Sequence, residues 1–121
     1  MATLLTKLPS ALQNVIKAVN KLTSAGSQSD TINTTSDKLF LLSEVEIFGS
    51  ITNSKSGEGS QYAYYKAGNS KVKNVNGFPK AWWERSPRGS DDSSFCHIDK
   101  DGKAYRSNAN TSYGVSFAFC V

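Results

Sequence analysis

The C-terminal third of the chain carries the pattern that most limits its fold. Residues 94–98 and residues 103–106 both have the composition of strands, and the segment between them ends in Asp101-Gly102. A glycine in this place predicts a β-hairpin, because it takes the positive φ that a tight turn requires. Residues 114–121 have a third strand pattern and end in apolar side chains. We therefore expect an antiparallel sheet here, with the C-terminal strand in its centre.

Apolar side chains recur with a helical spacing near the N-terminus. They predict one amphipathic helix over residues 8–22, within an N-terminal unit of residues 1–23. The stripe consists of Leu8, Leu12, Val15, Ile16, Val19 and Leu22. Residues 24–37 are polar and have no period, which predicts a loop. Because an uncovered apolar stripe favours self-association, a homo-oligomer formed through this helix is one interpretation.

A short apolar run marks the start of the next structured region. Residues 38–42 are typical of a strand that is buried on both faces. Ser43 is suited to cap a brief helix that follows, because its hydroxyl can accept from a free backbone N–H. We expect Val45 and Phe48 to point inward from this helix, and Gly49 to end it.

Aromatic side chains are concentrated in two central segments. Residues 62–68 carry three tyrosines, and their pattern allows either a short helix or a strand. Residues 81–87 include Trp82 and Trp83, which point to opposite faces if the segment is a strand. At least one of the two then belongs to the core. We expect structural roles for both, with stacking on a sugar or a base as the alternative.

The length and charge of the chain set broad limits on its function. At 121 residues it fits one domain, with residues 38–121 as its α+β body. The net charge is +4, and residues 51–90 hold seven basic against two acidic side chains. The lysines are scattered rather than clustered, which favours a solubilising surface over attraction of an anionic partner.

The cysteines and the hydropathy pattern bear on the environment of the protein. Cys96 and Cys120 are too few to diagnose a disulfide framework. Both lie on predicted strands, so we expect either a pair of buried thiols or, outside the cell, a disulfide. No apolar run is long enough for the core of a signal peptide or for a membrane span. We expect no membrane insertion.

No group of residues has the pattern of a catalytic centre. His97 is the single histidine, and its neighbour Cys96 points to the opposite face of a strand. Glu44 and Glu46 are two residues apart, so they do not share a face of a short helix. The segment that starts at His97 lacks the bidentate Glu of a calcium loop. We expect no catalytic residue, metal or cofactor, and a hydrolase that pairs His97 with Cys120 ranks last.

Several segments together resemble a bacterial domain, DUF6273. They are the run from Trp82 to Pro87, Phe95-Cys96, Asp101-Gly102, Gly114-Val115 and the end Phe119-Cys120-Val121. The run from Phe40 to Ser43, followed by Glu46, is also similar to a strand and helix of that family. The Trp-Trp-x-Arg-Ser-Pro signature is the most specific part. The resemblance implies a surface or phage-associated protein of gut Firmicutes, and therefore a cell-surface or virion location.

The resemblance also implies a fold and a binding surface. The ending of the family is similar to C-type-lectin-like and formylglycine-generating-enzyme-like folds, in which two short helices flank a small twisted antiparallel sheet. Binding members of that superfamily present their ligand surface on positions that match residues 88–94 and 105–113 here. The implied ligand-binding residues are Arg88, Asp91, Ser93, Tyr105, Arg106, Asn108, Asn110 and Tyr113. This composition suits recognition, since tyrosine gives rigid contact area and Asn and Ser give adaptable hydrogen bonds. Ordinary polar loops are the alternative.

Three functions follow from these observations. The leading hypothesis is a non-enzymatic display domain that recognises a glycan or a protein receptor. The first alternative is nucleic-acid binding through the basic segment 66–88, which predicts affinity that falls steeply with salt. Nucleic acid is not the favoured partner. The second alternative is a structural or assembly domain that oligomerises through residues 8–22, which predicts an oligomer in solution.

Overall fold

The polar, turn-rich sequence folds into many short elements. The computed structural model describes residues 2–121 and has an α+β fold with small antiparallel sheets and a few short helices. The helices are α1 (Ala2–Leu5), α2 (Ser10–Gln13), α3 (Glu44–Phe48) and α4 (Ala63–Lys66), with a 3-10 turn at Gly26–Gln28. The strands are β1 (Val19–Ser24), β2 (Ile32–Asp37), β3 (Lys73–Val75), β4 (Phe78–Lys80), β5 (Trp82–Pro87), β6 (Ser94–Ile98) and β7 (Ala104–Asn108).

The largest sheet contains β5, β6 and β7 in that order, so β6 is its middle strand. The hairpin between β6 and β7 is the one predicted from the sequence. Asp99 Oδ1 accepts hydrogen bonds from the backbone N–H groups of Asp101 and Lys103, both at 2.9 Å. Gly102 has a φ of +84°, which a residue with a Cβ rarely adopts. The hairpin prediction is confirmed.

The prediction of a central C-terminal strand is wrong. The chain after β7 makes isolated bridges of single residue pairs instead of a ladder. They join Gly114 to Trp82, Ala118 to Phe40, and Cys120 to Lys17. Because each bridge reaches a different part of the fold, the C-terminal segment connects these parts and does not form a continuous strand beside any one of them. The apolar ending is not buried, since Val121 is 69% exposed.

The predicted helix over residues 8–22 is also wrong. The segment contains the single helical turn of α2 and then β1, which pairs antiparallel with β2. The apolar period misleads here because the buried residues of β1 are Lys21 and Ser24, whereas Leu22 is 38% exposed. Tertiary partners for Lys21 and the pairing with β2 outweigh the helical spacing. Met1, where the N-terminal unit was predicted to begin, lies outside the described residues.

The predicted loop over residues 24–37 holds regular structure, so this prediction is wrong for most of its length. It contains the 3-10 turn and all of β2. The sequence of β2 is mostly polar, and four of its six side chains are exposed. A polar strand of this kind lacks the alternation that identifies a half-buried strand, although its Ile and Thr residues favour extended backbone.

The short helix α3 is bounded as predicted. The Ser43 hydroxyl accepts from the Glu46 backbone N–H, and the Glu46 carboxylate accepts from the Ser43 backbone N–H, which forms a capping box. Gly49 ends the helix with a φ of +72°. The inward side chains differ from the prediction. Glu44, Glu46 and Ile47 are buried, whereas Val45 and Phe48 are half-buried.

The apolar core lies between α3, α4 and the largest sheet. It consists of Ile47, Tyr65, Trp82 and Ile98, with Leu42 and Phe48 packed against them. The helical alternative for residues 62–68 is confirmed by α4. The strand predicted over residues 38–42 is wrong, because Phe40 contributes only its bridge to Ala118. Trp82 is buried and Trp83 is half-buried, as expected for neighbours on a strand.

Candidate functional site

The largest sheet places aromatic side chains next to one another on one face. Trp83, His97 and Tyr105 lie directly opposite one another in the register of β5, β6 and β7. Tyr113, from the segment after β7, packs on Trp83 and His97 with ring centroids 4.9 and 4.5 Å apart. Such cross-strand ring pairs stabilise a sheet and fix the position of each ring. We call these four residues the aromatic cup.

A cleft of about 470 Å³ opens beside the aromatic cup. Three of the four rings line it, those of His97, Tyr105 and Tyr113. The rest of the wall is formed by Pro79, Lys80, Ala81, Asp99 and Lys100. These residues come from the end of the β3–β4 hairpin and from the β6–β7 turn. The volume is within the range of small-molecule sites, and we call this feature the His97 cleft.

His97 lies at the base of the cleft and is only 2% exposed. Its Nδ1 is buried and has no hydrogen-bond partner among the described residues. Burial lowers the pKa of His97 below its ordinary value, although the Asp99 carboxylate opposes this shift. The ring is therefore neutral near pH 7, and it contributes shape and hydrogen-bonding capacity rather than charge.

The rim of the His97 cleft carries more positive than negative charge. Lys80 and Lys100 both line the cleft and are exposed. Asp99 also lines it, but its Oδ1 is already engaged by two backbone N–H groups of the turn. The Arg106 guanidinium lies over the Tyr105 ring, with Cζ 4.5 Å from the ring centroid. A negatively charged group on a ligand is attracted to this rim.

The structure places seven of the eight predicted site residues in two groups. Tyr105 and Tyr113 line the His97 cleft, and Arg106 stacks on Tyr105. A second group meets at the other end of β6 and β7, and we call it the Asp91 corner. The Asp91 corner consists of Arg88, Asp91, Ser93 and Asn108. Asn110 is exposed in the turn after β7 and lies in neither group.

The polar groups of the Asp91 corner are used within the protein. Asp91 Oδ1 accepts from the backbone N–H groups of Ser93 and Ser94 at 3.0 and 2.9 Å, and Oδ2 accepts from Arg88 at 2.8 Å. These bonds, that of the Ser93 N–H first, hold the pKa of the Asp91 carboxyl below its usual range. The corner therefore anchors the loop between β5 and β6, and the His97 cleft is the more open site.

The signature strand identified in the sequence is β5, which supplies the aromatic cup with Trp83. A family profile described as "Domain of unknown function (DUF6273)" matches residues 2–121, nearly the whole chain. The chain belongs to the DUF6273 family. This confirms the family resemblance drawn from the sequence. No curated protein and no solved structure matches the DUF6273 chain.

Part of the His97 cleft was missed in the sequence of the DUF6273 chain. His97 was considered only as a catalytic group, and Lys80, Asp99 and Lys100 were not connected with it. The predicted turn of residues 99–102 would place His97 opposite Ala104. In the structure the loop spans residues 99–103, so Ile98 pairs with Ala104, and His97 lies opposite Tyr105 with the loop residues beside both.

Four glutamate side chains of the DUF6273 chain are buried, and the sequence pattern did not reveal this. They are Glu44, Glu46, Glu58 and Glu84, each no more than 3% exposed. Glu46 forms ion pairs with Lys21 and Arg85, both at 2.5 Å. Burial alone raises the pKa of Glu46, but the hydrogen bonds from Arg85 and Lys21 outweigh it and lower the pKa. Through these two ion pairs, the Glu46 carboxylate connects α3 to both β1 and β5.

Glu84 is the buried glutamate that lacks such support. It shares the inner face of β5 with Trp82, and neither of its carboxyl oxygens has a hydrogen-bond partner among the described residues. Burial, with the charges of Glu44 and Glu58 nearby, raises the pKa of Glu84 to about 9. Glu84 is therefore protonated and neutral at pH 7. Burial likewise raises the pKa of Glu58.

The two cysteines of the DUF6273 chain are both free thiols. Cys96 is buried on β6 opposite Arg106, whereas Cys120 pairs through its backbone with Lys17. They therefore do not sit on neighbouring strands. Burial, with Glu84 the next cause, raises the pKa of Cys96 far above its usual value. A thiol in this state stays protonated and is a poor nucleophile or metal ligand.

Within residues 2–121, no cluster of three or more His, Cys, Asp or Glu side chains has the arrangement of a metal site. None of the helices formed by these residues is long and apolar enough to cross a membrane.

Proposed function

We propose that the chain is a non-enzymatic domain for ligand or receptor recognition, and that the His97 cleft is its binding site. The observation that carries this proposal is an open cleft that is lined by three rings of the aromatic cup and has charged groups at its rim. Rings fixed by packing offer contact area that loses little entropy on binding, and rim charges orient the ligand. The partner is a glycan or a protein receptor.

We also propose a location and an architecture for the protein. The resemblance described from the sequence implies a surface or phage-associated protein of Firmicutes with a C-type-lectin-like architecture, and we propose both. The support is positional, because five of the eight residues that line the cleft follow the Trp-Trp signature, in the part of the chain where the resemblance implies a ligand surface. In the proposed architecture the C-terminal segment closes the fold through its bridges rather than as a central strand.

The proposal that the chain is not an enzyme is supported by the distribution of its reactive groups. His97 lines the cleft, but Cys96 is its neighbour on β6 and faces the opposite side of the sheet. The protonated Cys96 thiol is also a weak nucleophile. Glu84 belongs to the inner face with Cys96, away from the cleft.

The two alternatives receive less support. In the basic segment 66–88, Arg85 is paired with Glu46 and Arg88 with Asp91, so two of its cations already have partners. This weakens nucleic-acid binding as an explanation of the segment. Assembly through an amphipathic helix over residues 8–22 loses its structural basis, because α2 and β1 divide this segment.

A binding screen with two matched variants tests the proposed site. Wild-type protein, Tyr105→Ala and Tyr64→Ala are applied to an array of glycans and bacterial-envelope components. Tyr105 is 50% exposed, so its truncation removes cleft surface without opening the core. Aromatic residues at the centre of an interface contribute about 2 kcal/mol or more, so we expect at least a roughly tenfold loss of affinity for Tyr105→Ala.

The Tyr64→Ala variant is the matched control, because this tyrosine is 61% exposed and does not line the cleft. It is expected to bind as the wild type does. Equal binding by wild type and Tyr105→Ala, with both proteins folded by circular dichroism, would refute the assignment of the cleft.

A further inference from the structure

The charged groups around the His97 cleft are mostly positive, and this limits the class of ligand that the cleft can bind. Lys80 and Lys100 come from separate elements, the end of β4 and the β6–β7 turn, and both line the same opening. One oxygen of the opposing Asp99 carboxylate is bound to the turn, and Arg106 adds positive charge over Tyr105. His97 adds none, because burial keeps it neutral. A bound ligand therefore meets cations at the rim and uncharged rings at the base.

The inclination of the rings bears on the shape of the ligand. The planes of His97 and Tyr105 are 61° apart, and those of His97 and Tyr113 are 44° apart. A flat nucleobase is best held by faces parallel to its own plane. Rings set at these angles instead form a concave wall, which suits a thick, non-planar ring with apolar C–H faces and polar edges.

We infer that the His97 cleft selects a saccharide bearing a negatively charged group, a carboxylate or a phosphate. The inference rests on the proposed function and adds the ligand class to it. The sugar ring packs against Tyr105 and Tyr113, and its acidic group lies between Lys80 and Lys100. The hydroxyls of the sugar reach the polar rim. Carboxylate and phosphate share this chemistry, so the probes must separate them.

The test uses small probes that differ in one property at a time. Glucuronic acid, its methyl ester, glucose 6-phosphate and uridine monophosphate are titrated into ¹⁵N-labelled protein, and affinity is read from amide shifts. The ester keeps the ring and removes the charge. Exposed ion pairs contribute about 0.2–1 kcal/mol each, so two of them predict roughly tenfold tighter binding of the acid than of the ester. The phosphate probe shows which acidic group is preferred.

Two charge-matched double variants complete the test. Lys80→Gln with Lys100→Gln removes both rim cations, and the acid is expected to bind this variant no better than the ester does. Lys38→Gln with Lys66→Gln removes two exposed cations that do not line the cleft, and is expected to keep the preference. The change in net charge is the same for both, so long-range attraction cannot account for a difference.

The possible results separate the inference from the proposed function. Equal binding of acid and ester overturns the charge requirement, and binding of the nucleotide alone overturns the saccharide class. In both cases the cleft remains a recognition site. If no probe shifts residues of the cleft while an array ligand still depends on Tyr105, the ligand class is wrong and the proposed function stands. If the array ligand also ignores Tyr105, both fail.

Discussion

Glu84 shows how strongly the fold can change the state of one residue. Its carboxyl group lies on the inner face of β5 beside Trp82, with no donor directed at either oxygen among the described residues. An ionised carboxylate in that place would lack both water and a partner, so the native state holds the proton up to a pH of about 9. The unfolded chain gives it up near its ordinary value of 4.5.

Glu84→Gln is therefore expected to change the pH dependence of stability. Between pH 4.5 and about 9 the native protein holds a proton that the unfolded chain has lost, so wild-type stability falls as pH rises and levels off above that range. The slope is at most about 1.4 kcal/mol per pH unit. Glu84→Gln lacks this slope because its side-chain amide does not titrate. Urea unfolding of both proteins between pH 5 and 9 measures the difference in their pH dependence. Asp101→Asn, at an exposed acid, serves as the control. Parallel curves for wild type and Glu84→Gln would contradict this account.

His97 is expected to act in the opposite direction. Its pKa is lowered in the native state, so below about pH 6.5 the unfolded chain takes up a proton that the native protein does not. Stability from this group is present above that pH and falls as the pH drops below it. His97→Phe keeps a ring in the aromatic cup and removes the buried Nδ1. Glu84 changes the stability of both proteins in the same way, so the difference between them reports on His97: between pH 7.5 and 5.5 the melting temperature of His97→Phe should rise relative to that of the wild type. An equal change in both proteins would show that His97 does not titrate as inferred.

At the scale of elements, Glu44 fixes a loop from within a helix. Its Oε1 accepts backbone N–H groups of Thr52, Asn53 and Ser54 at 2.8, 3.0 and 3.1 Å, and the Ser54 hydroxyl at 2.8 Å. The side chain of α3 thereby supplies partners that the irregular backbone of the loop would otherwise lack. The two glutamates of this five-residue helix bind different parts of the protein. Glu44 binds the loop, whereas Glu46 forms ion pairs with Lys21 and Arg85.

Glu44→Gln should destabilise the protein by about 2–3 kcal/mol, because hydrogen bonds to a charged acceptor contribute more than neutral ones and the amide adds an N–H where donors already converge. Urea unfolding gives the free energy, and hydrogen exchange of the 52–54 amides locates the effect. Asp92→Asn, at an exposed acid, should stay within about 0.5 kcal/mol of wild type. A loss below 1 kcal/mol with unchanged exchange would contradict the role of Glu44.

Element prediction succeeded where local chemistry decides the structure. The Ser43 cap, the Gly49 stop and the Asp101-Gly102 turn are set by side chains within a few residues, and all three are found. It failed where a distant partner decides. Lys21 is buried because Glu46 and the Tyr62 hydroxyl bind its ammonium group, and no local pattern reveals that β1 will pair with β2. In a protein with many polar residues, the spacing of the apolar ones is therefore a weak predictor of secondary structure.

At the scale of the whole molecule, the candidate site depends on pairing between segments far apart in sequence. Tyr105 and Tyr113 were predicted as site residues, and both line the His97 cleft. The Asp91 corner was grouped with them, although strand register places it at the opposite end of β6 and β7. Lys80 lines the cleft because β4 ends there and leads through Ala81 directly into β5, which places the end of the β3–β4 hairpin beside the sheet. Composition identified the kinds of side chain involved, and the register determined which of them meet.

Mapping the residues that a bound ligand contacts tests whether the His97 cleft is the binding surface. The ligand chosen by the array is titrated into ¹⁵N-labelled protein, and the largest amide shifts are assigned. We expect them on residues that surround the cleft, namely Ala81, His97, Asp99, Lys100 and Tyr105. Shifts confined to the Asp91 corner or to β1 and β2, with the cleft unchanged, would contradict this assignment.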